Sequence, residues 1–410
     1  MKHNISEKVV WVLSLILVAS ITIFESYTWG KYILILVSIL IILVDILQER
    51  GKYFYRIDQF QIFLGLLTIY TLLSSLWAIN SADSIERGFT FFQILVCMCI
   101  IYNHYIRTQN TYSLISVVKW ASYFISIYSF FYYGLSFVIR MLISGSRLEN
   151  SYTNVNTIGM LAAIGIIIQV NEIIKKKKFS VEAILCVPSF IMVLATQSRK
   201  ALLIMVIGII LTIIVNAVSD RKKVFNIVKI VFIIIICIIG IRYLANMEVF
   251  SGINKRMAEM FSLITGKGKV DHSTIMRQEM INLGWSIFKE HPLVGIGIGC
   301  PHVIVDQMLN FDAYLHNGFV EILAGGGIIG FVLYYSSYAY ILANLFKYRK
   351  YKDDSYGLCI ILTIIFLFRD YAMVSMYSKM TYFYFVIFFI YVENLKKRKR
   401  DYYSIQNNDC

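Results

Sequence analysis

The stretch YLHNGFVEILAGGGIIGFVLYY, residues 314–335, joins a polar start to an apolar run long enough to cross a bilayer. His316 and Asn317 stand at its beginning, and three consecutive glycines, 325–327, lie inside it. A hydrocarbon core of about 30 Å needs about 20 apolar residues per helix, and runs of this kind recur along the chain. The stretch therefore predicts a membrane helix with a histidine where the helix meets the polar surface.

The composition indicates the same class of protein. Of the 410 residues, 58% are hydrophobic and only 16% are charged, and the mean hydropathy is +0.67. These values lie outside the range of soluble globular domains. The seven cysteines show neither a disulfide framework nor a zinc-site spacing. We therefore predict an all-α, polytopic integral membrane protein.

The predicted spans follow from the apolar runs and from the charges between them. Lys/Arg clusters alternate between successive loops, as the positive-inside rule requires, and they account for the net charge of +14 without a nucleic-acid partner. This pattern predicts about 12 transmembrane helices in a single domain, residues 1–410, with both termini cytoplasmic. The runs lie near residues 9–24, 32–47, 60–77, 88–105, 113–139, 157–174, 181–196, 201–218, 225–243, 317–345, 356–368 and 380–393.

One long connection, residues 244–315, is predicted on the outer face between the ninth and tenth spans. Loops of this length inside a compact architecture are usually functional or disordered, and we expect this one to fold onto the membrane surface. Its segment STIMRQEMINLGWSIFKEHP, residues 273–292, has helical periodicity. Arg277 falls inside the apolar arc of that helix. It either extends past its neighbours to reach water or is directed into a site.

Other polar residues also lie on the predicted outer face. Arg199 and Lys200 interrupt a long apolar stretch, which we interpret as two spans joined by a tight outer turn. Basic residues are disfavoured at the outer ends of spans, so these two are either ordinary anchors or kept for function. Arg147 is a further outer cation, and Asn154 and Asn156 follow it. Helix capping would account for one of the two asparagines.

His316 and the glycines of residues 291–299 can each be interpreted in more than one way. A histidine at a membrane interface commonly serves as a cap or an interfacial residue, but its unperturbed pKa of about 6.5 also suits a general base. The segment HPLVGIGIG, residues 291–299, lacks the strand–turn–helix context of a dinucleotide site. Its glycines predict a tight turn or a close backbone approach.

The residues around His316 resemble the O-antigen polymerase and ligase superfamily, the Wzy and WaaL type. That family's signature is His, then Asn, Ser or Gln, nine residues, Gly, two residues, and Gly, Thr or Tyr. Here it reads His316, Asn317, nine residues, Gly327, two isoleucines and Gly330. The order of the serine–arginine turn, the arginine-bearing amphipathic helix and the glycine-rich segment is also similar, over roughly residues 145–335.

The sequence departs from the family pattern at two places. Val155 stands where a proline often precedes the asparagine. Gly325 and Gly326 stand where such proteins frequently have an acidic residue. Glu321, one helical turn earlier, is the candidate substitute for that acid.

The resemblance implies a GT-C-like polymerase/ligase architecture and glycosyl transfer from an undecaprenyl-diphosphate-linked oligosaccharide to a sugar hydroxyl. His316 is the candidate base for that hydroxyl. Arg199 and Arg277 are the candidates for binding the leaving diphosphate, because the forked donors of arginine match phosphate oxygens. No metal or other cofactor is expected. The candidate supporting residues are Arg147, Asn156, Lys200, Asn317, Glu321, Gly327 and Gly330.

The acceptor distinguishes a polymerase from a ligase, and the motifs fit both. The bias toward Ile, Lys and Asn is common in low-GC bacteria, many of which lack a lipid A core, and it favours a capsule or exopolysaccharide polymerase in the bacterial cytoplasmic membrane. The expected partners are the lipid-linked oligosaccharide, a glycan acceptor, membrane lipids, and flippase and chain-length regulator proteins. The competing class is a polysaccharide flippase or other transporter. The gathering of polar residues at the outer edge disfavours it.

Overall fold

The computed structural model of the chain describes residues 5–23, 30–48, 55–148, 152–176, 181–218 and 272–408. These ranges contain 14 α-helices, two short 3-10 helices, Val181–Leu185 and Arg349–Tyr351, and no strand. The α-helices are α1 Ile5–Ile23, α2 Gly30–Gln48, α3 Gln59–Ser74, α4 Ser81–Thr108, α5 Thr111–Tyr133, α6 Leu135–Ile143, α7 Val155–Lys176, α8 Cys186–Ala195, α9 Arg199–Val218, α10 His272–Glu290, α11 Pro301–Leu309, α12 Gly318–Lys347, α13 Tyr356–Asp370 and α14 Lys379–Asn408.

Helix length and composition identify the membrane-spanning class. Six of the described helices, α1, α4, α5, α7, α9 and α12, are long and apolar enough to cross a membrane. Eleven of the twelve predicted spans coincide with described helices, and the ninth, 225–243, lies outside the described residues. The prediction of an all-α polytopic membrane protein is confirmed.

Two predicted boundaries were wrong. The predicted fifth span, 113–139, is two helices, because Gly134 at φ +82° ends α5 and begins α6. Residues 78–87, between the predicted third and fourth spans, are in large part the start of α4. That helix begins at Ser81, and the Asn80 side chain caps it by accepting a hydrogen bond from the Ala82 amide at 3.1 Å.

The aromatic first half of α14 lies buried at the centre of the fold. Residues 380–392 of α14 are all buried, and this helix contacts α1, α3, α4, α5, α12 and α13. Around it, α7 packs on α9, α9 on α13, α13 on α12, and α12 on α10. This order of contacts brings the ends of five helices distant in sequence to one place.

The helix α12 is broken at Gly327, which adopts φ +60° and ψ −164°. Backbone of this kind is essentially restricted to glycine, and a Cβ at this position would lie 2.3 Å from the Leu293 carbonyl carbon. The prediction of one uninterrupted span over 317–345 was therefore wrong at this point.

The glycine-rich segment 291–299 satisfies the backbone groups that the break leaves without helical partners. Such groups must find partners inside the protein, because the hydrocarbon offers none. The predicted close backbone approach of this segment is thus confirmed, although residues 295–300 are buried beside α12 rather than lying on the membrane surface. The bonds run from Ile296 N to Ala324 O at 3.0 Å, Gly297 N to Gly325 O at 2.9 Å, Ile328 N to Pro292 O at 2.9 Å, Ile329 N to Leu293 O at 3.2 Å, and Tyr70 Oη to Gly326 O at 2.6 Å.

Candidate active site

The predicted cations and His316 meet at one end of the bundle, which we call the site end, whereas Gly327 and Gly330 lie farther along α12 beside Leu293 and Tyr70. The site end is formed by the N-terminal ends of α7, α9 and α12, the C-terminal end of α13, and α10. Three glycines make the contacts between these elements close. A Cβ on Gly159 would lie 2.6 Å from Thr196 Oγ1, one on Gly284 of α10 would lie 2.5 Å from Val320 of α12, and one on Gly318 would lie 3.2 Å from the Asp370 Cβ.

Five cationic side chains converge at the site end. The largest electrostatic influences on Lys200 come from Arg277, Arg199, Arg147 and Arg369, in that order. These arginines belong to α10, α9, the loop before α7 and the end of α13, so tertiary folding assembles the cluster. Like charges in a half-buried setting repel one another, and a bound anion would relieve that repulsion.

His316 lies half-buried beside this cluster, immediately before α12. Its φ of +57° is left-handed, which is uncommon for a residue with a side chain. Burial, followed by the positive charges of Arg277 and Lys200, lowers the pKa of His316 to about 4. The imidazole is therefore neutral near pH 7 and has a lone pair available to accept a proton.

The backbone around His316 is fixed from both sides. Asn317 caps α12, and its side-chain oxygen accepts hydrogen bonds from the amides of Phe319 and Val320 at 3.0 and 3.1 Å. On the other side, the Leu315 amide donates to Glu321 Oε2 at 3.0 Å. These three bonds hold the chain where His316 takes up its left-handed conformation.

Glu321 lies behind the histidine rather than beside the cations. Its side chain is fully buried, and its Oε1 accepts a hydrogen bond from Tyr377 Oη at 3.3 Å. The guanidinium of Arg87 lies 4.9 Å from the centre of the Tyr377 ring and also donates to the Tyr314 hydroxyl. Arg87 and Tyr377 could not be found from the sequence, because only the fold brings α4 and the α13–α14 connection to this carboxylate.

The two asparagines before α7 have different contacts. The Asn154 side chain accepts a hydrogen bond from the Asn156 amide at 2.9 Å, as a helix cap does. The Asn156 side chain accepts a hydrogen bond from Arg147 Nη2 at 3.0 Å, which directs that cation. The Leu148 amide donates to Ala195 O at 3.4 Å and ties this loop to the turn before Arg199.

Arg369 and Asp370 at the end of α13 were also missed by the sequence analysis. Arg369 is buried, donates from Nη2 to Thr381 Oγ1 at 2.7 Å, and stacks on Phe366 with its guanidinium carbon 4.3 Å from the ring centre. Asp370 accepts hydrogen bonds from the Tyr335 and Ser375 hydroxyls. A charged pair at the end of a predicted apolar span was the signal available in the sequence.

The fold and this site define a multi-pass, all-α membrane protein with a cationic cluster beside a neutral histidine. Among the described residues, no group of three or more His, Cys, Asp or Glu side chains is placed to hold a metal ion. A family model described as O-antigen ligase matches residues 184–335, which include Arg199, Lys200, Arg277 and His316. Over this region the resemblance to the O-antigen polymerase and ligase superfamily is confirmed. A search of curated proteins found no match to the chain.

Proposed function

We propose that the protein is a polysaccharide polymerase that transfers lipid-diphosphate-linked oligosaccharide repeat units onto a sugar hydroxyl of another repeat unit. The observation that carries this proposal is a neutral, half-buried His316 beside Arg277 and Lys200, in a cluster where Arg199, Arg147 and Arg369 also act on Lys200. In the reaction, the acceptor oxygen bonds to the anomeric carbon of the donor, and the bond from that carbon to the diphosphate breaks. The lipid diphosphate leaves with the electron pair, and His316 takes the proton of the hydroxyl.

The cations supply the electrostatic part of this reaction. Negative charge on the diphosphate grows as the glycosidic bond breaks, so donors already aimed at that group stabilise the transition state more than the ground state. Arg277 and Arg199 act as forked donors, and Lys200 acts as a point charge between them. Repulsion between Lys200 and the surrounding arginines favours the binding of a multiply charged anion.

The same charges change the basicity of His316. In the free protein, Arg277 and Lys200 oppose protonation of the imidazole. A bound diphosphate offsets those charges, so the pKa of His316 rises toward its ordinary value when the donor is present. The base therefore becomes stronger when a proton has to be accepted, and the resulting imidazolium lies near an anion.

The buried Glu321 contributes orientation. It holds the Leu315 amide and so fixes the backbone that presents His316. A base must lie within hydrogen-bond reach of the hydroxyl that it deprotonates, and small misplacements cost large factors in rate. We assign Glu321 as a positioning residue, with Tyr377 and Arg87 behind it.

A ligase is the second candidate, because the matching family model is described as O-antigen ligase. The chemistry at the anomeric carbon is the same, and only the acceptor differs. In either reaction, the described residues of the site bind the donor diphosphate and accept the proton of the hydroxyl. Their geometry therefore fits a polymerase and a ligase equally.

A transfer assay separates the candidates. Purified protein in lipid nanodiscs is incubated with a lipid-linked repeat unit, and the products are separated on a gel. A ladder of lengths supports a polymerase, and transfer only to an added lipid acceptor supports a ligase. If protein of normal thermal stability gives no transfer, the glycosyltransferase proposal fails and transport of the same lipid becomes the better hypothesis.

This function also requires a particular orientation in the bacterial cytoplasmic membrane. The site end, with the loop 244–315, must face outward, and both termini must be cytoplasmic. Ser144 at the site end and Lys350 at the opposite end are both exposed. In intact cells, an impermeant thiol reagent should label Ser144→Cys and spare Lys350→Cys. The reverse pattern would rule out the orientation.

A further inference from the structure

His302, in the first turn of α11, lies between two carboxylates that come from different parts of the chain. Its Nε2 is 3.0 Å from Oδ2 of Asp83 in the first turn of α4, and its Nδ1 is 2.8 Å from Oδ1 of Asp312. The sequence spacing gave no sign of this arrangement, since Asp83 and His302 are 219 residues apart. None of the three side chains has a role in the reaction proposed above.

The two bonds of His302 require a particular protonation state. A carboxylate only accepts hydrogen bonds, so each ring nitrogen must carry a proton in order to bond to one. A neutral imidazole has one N–H and would turn the lone pair of its other nitrogen toward a carboxylate oxygen. The bridge from Asp83 through His302 to Asp312 is therefore complete only in the doubly protonated imidazolium.

The bridge acts on the segment that carries His316. Residues 311–317 form neither helix nor strand, so side-chain bonds have a large part in fixing them. Asp312 precedes His316 by four residues. A second bond, from Arg87 Nη2 to the Tyr314 hydroxyl, ties the same segment to α4 one helical turn beyond the aspartate of the bridge.

The start of α4 is itself held in place and can serve as the fixed end of the bridge. The Ile79 amide donates to Ile296 O at 3.0 Å, and the Ser84 hydroxyl donates to Ile298 O at 2.9 Å. The approach is close, because a Cβ on Gly299 would lie 2.5 Å from Arg87 Cγ. The bridge thus joins a fixed helix end to an irregular segment.

Other ionisable groups surround the bridge, and α10, which also packs on α11, contributes apolar side chains such as Met280 and Ile287 to this region. Asp83 and Asp312 are in hydrogen-bond contact with the imidazole, so they dominate its electrostatic environment. The further ionisable neighbours are Arg87 on α4, Glu321 on α12, Asp306 one turn beyond His302 on α11, and the Cys300 thiol just before α11.

We propose that His302 is a positioning residue, which as an imidazolium bridges Asp83 and Asp312 and so holds the segment 311–317 where His316 meets the acceptor hydroxyl. This role rests on the base assigned to His316 in the proposed function. When His302 loses a proton, one bond must open. The bond to Asp312 opens first, because 72% of that side chain is exposed and water competes for it.

The two histidines therefore respond to pH in opposite directions. His316 must be neutral to accept a proton, whereas His302 must be charged to hold the segment. Histidine side chains change charge between about pH 5 and pH 8. Activity should fall on the acidic side through His316 and on the alkaline side through His302.

Kinetics of a variant without ring donors test the positioning role. His302→Phe keeps a ring but cannot bond to either aspartate. We expect kcat to fall about fivefold to tenfold, because a displaced base costs rate, while the KM for the donor stays within about twofold. The matched control is His291→Gln, an exposed histidine just after α10, which should change neither constant. Unchanged kcat in a stably folded His302→Phe protein would overturn the proposal.

Asp312→Asn tests the need for the charge. The new amide can donate to the bare Nδ1 of a neutral imidazole while Nε2–H donates to Asp83, so both bonds survive without the extra proton. The alkaline limb of kcat should then move to higher pH than in wild type, whereas Asp312→Ala should lower kcat at every pH. A wild type without an alkaline limb, or an unmoved limb in Asp312→Asn, would contradict the imidazolium bridge.

Hydrogen exchange tests the bridge without any turnover. Exchange of the peptide that covers residues 310–317 is followed by mass spectrometry in nanodiscs, with rates corrected for the effect of pH on exchange itself. We expect several-fold faster exchange in His302→Phe and no change in His291→Gln. Equal exchange in His302→Phe and wild type would overturn the proposal.

The kinetic and exchange assays separate failure of this inference from failure of the proposed function. Faster exchange in His302→Phe, in a protein that transfers no glycan, would leave the bridge and remove its link to a base. Transfer by a protein whose segment 310–317 ignores His302 would leave the transferase and remove the bridge.

Discussion

Charged side chains have different neighbours at the two ends of the helix bundle. At the end opposite the site, cations lie against carboxylates. Lys119 Nζ is 3.0 Å from carboxylate oxygens of both Glu172 and Glu182. In the same half, His104 Nδ1 lies 2.6 Å from a carboxylate oxygen of Asp45.

At the site end, the largest electrostatic influences on Lys200 come from four arginines, and His316 is held neutral. Paired charges join helices, and the loss of one partner leaves a buried charge that destabilises the fold. A cluster of like charges suits an anionic ligand. The contrast supports the proposal that the site end serves binding and chemistry, whereas the opposite end serves structure.

The largest expected effect distinguishes His316 at the site end from His104 at the opposite end. His316→Ala should abolish polymer, with a loss on the order of 10²–10⁴-fold for a missing base, while the protein remains in the membrane. His104→Ala should instead lower the free energy of unfolding by about 1–3 kcal/mol, because Asp45 loses a buried hydrogen-bond partner. The kcat of the folded His104→Ala protein should stay near the wild-type value. Polymer of normal length and amount from His316→Ala would remove His316 as the base.

The next largest effect is on stability, and it distinguishes Gly327 in α12 from Gly65 in α3. Gly327→Ala should destabilise the protein by at least about 2 kcal/mol, since its left-handed backbone is strained for alanine and the new methyl meets the Leu293 carbonyl. Gly65→Ala in α3 is the control, because no atom lies within 4 Å of the added Cβ. Thermal unfolding of both variants in detergent checks this contrast. Equal unfolding temperatures would show that the break in α12 does not support the site end.

Two arginines provide a third contrast. Arg277→Lys should lower kcat/KM on the order of 10²-fold, because the forked donors that match a diphosphate are lost. Arg56→Lys, at the opposite end, replaces a 44% exposed partner of Asp58 and should change stability by less than about 1 kcal/mol. Both are measured in the transfer assay and by thermal unfolding. Wild-type activity of Arg277→Lys would mean that Arg277 only extends past its apolar neighbours toward water.

The smallest expected effect is a shift in pH dependence. A protonated imidazole cannot accept a proton, so activity should fall as the pH drops through the pKa of His316. For the free protein, kcat/KM should keep its value to well below pH 6.5, since the pKa is lowered to about 4. The acid limb of kcat should lie at higher pH, because the bound diphosphate offsets the cations.

Lys200→Gln sharpens that test. It removes one of the two charges that oppose protonation of His316, so the acid limb of kcat/KM should move to higher pH. An unmoved limb would contradict the electrostatic link between Lys200 and His316.

The sequence predicted the features that depend on local pattern. Apolar runs and alternating charge predicted the spans, and the fixed distance from His316 to Gly330 led to the family. The asparagines before α7 and the alternating glycines at 295–299 were interpreted by rules of capping and close backbone approach that hold locally.

The features that were missed depend on contacts between distant segments. Arg369 joins the cluster only because α13 packs between α9 and α12, and no spacing in the sequence shows that. Glu321 was considered as a substitute acid, but its partners come from the chain just before His316 and from Tyr377, 56 residues away. The break at Gly327 was hidden because a glycine in an apolar run predicts close helix packing as readily as an interrupted helix.

A single-turnover measurement tests the central claim most directly. Protein in excess is mixed with radiolabelled lipid-linked repeat unit and acceptor, and donor binding and the release of lipid diphosphate are followed separately. Our account predicts that His316→Ala binds the donor as tightly as wild type but releases no lipid diphosphate, whereas Arg277→Gln binds it weakly. Release of lipid diphosphate by His316→Ala at the wild-type rate would contradict the account.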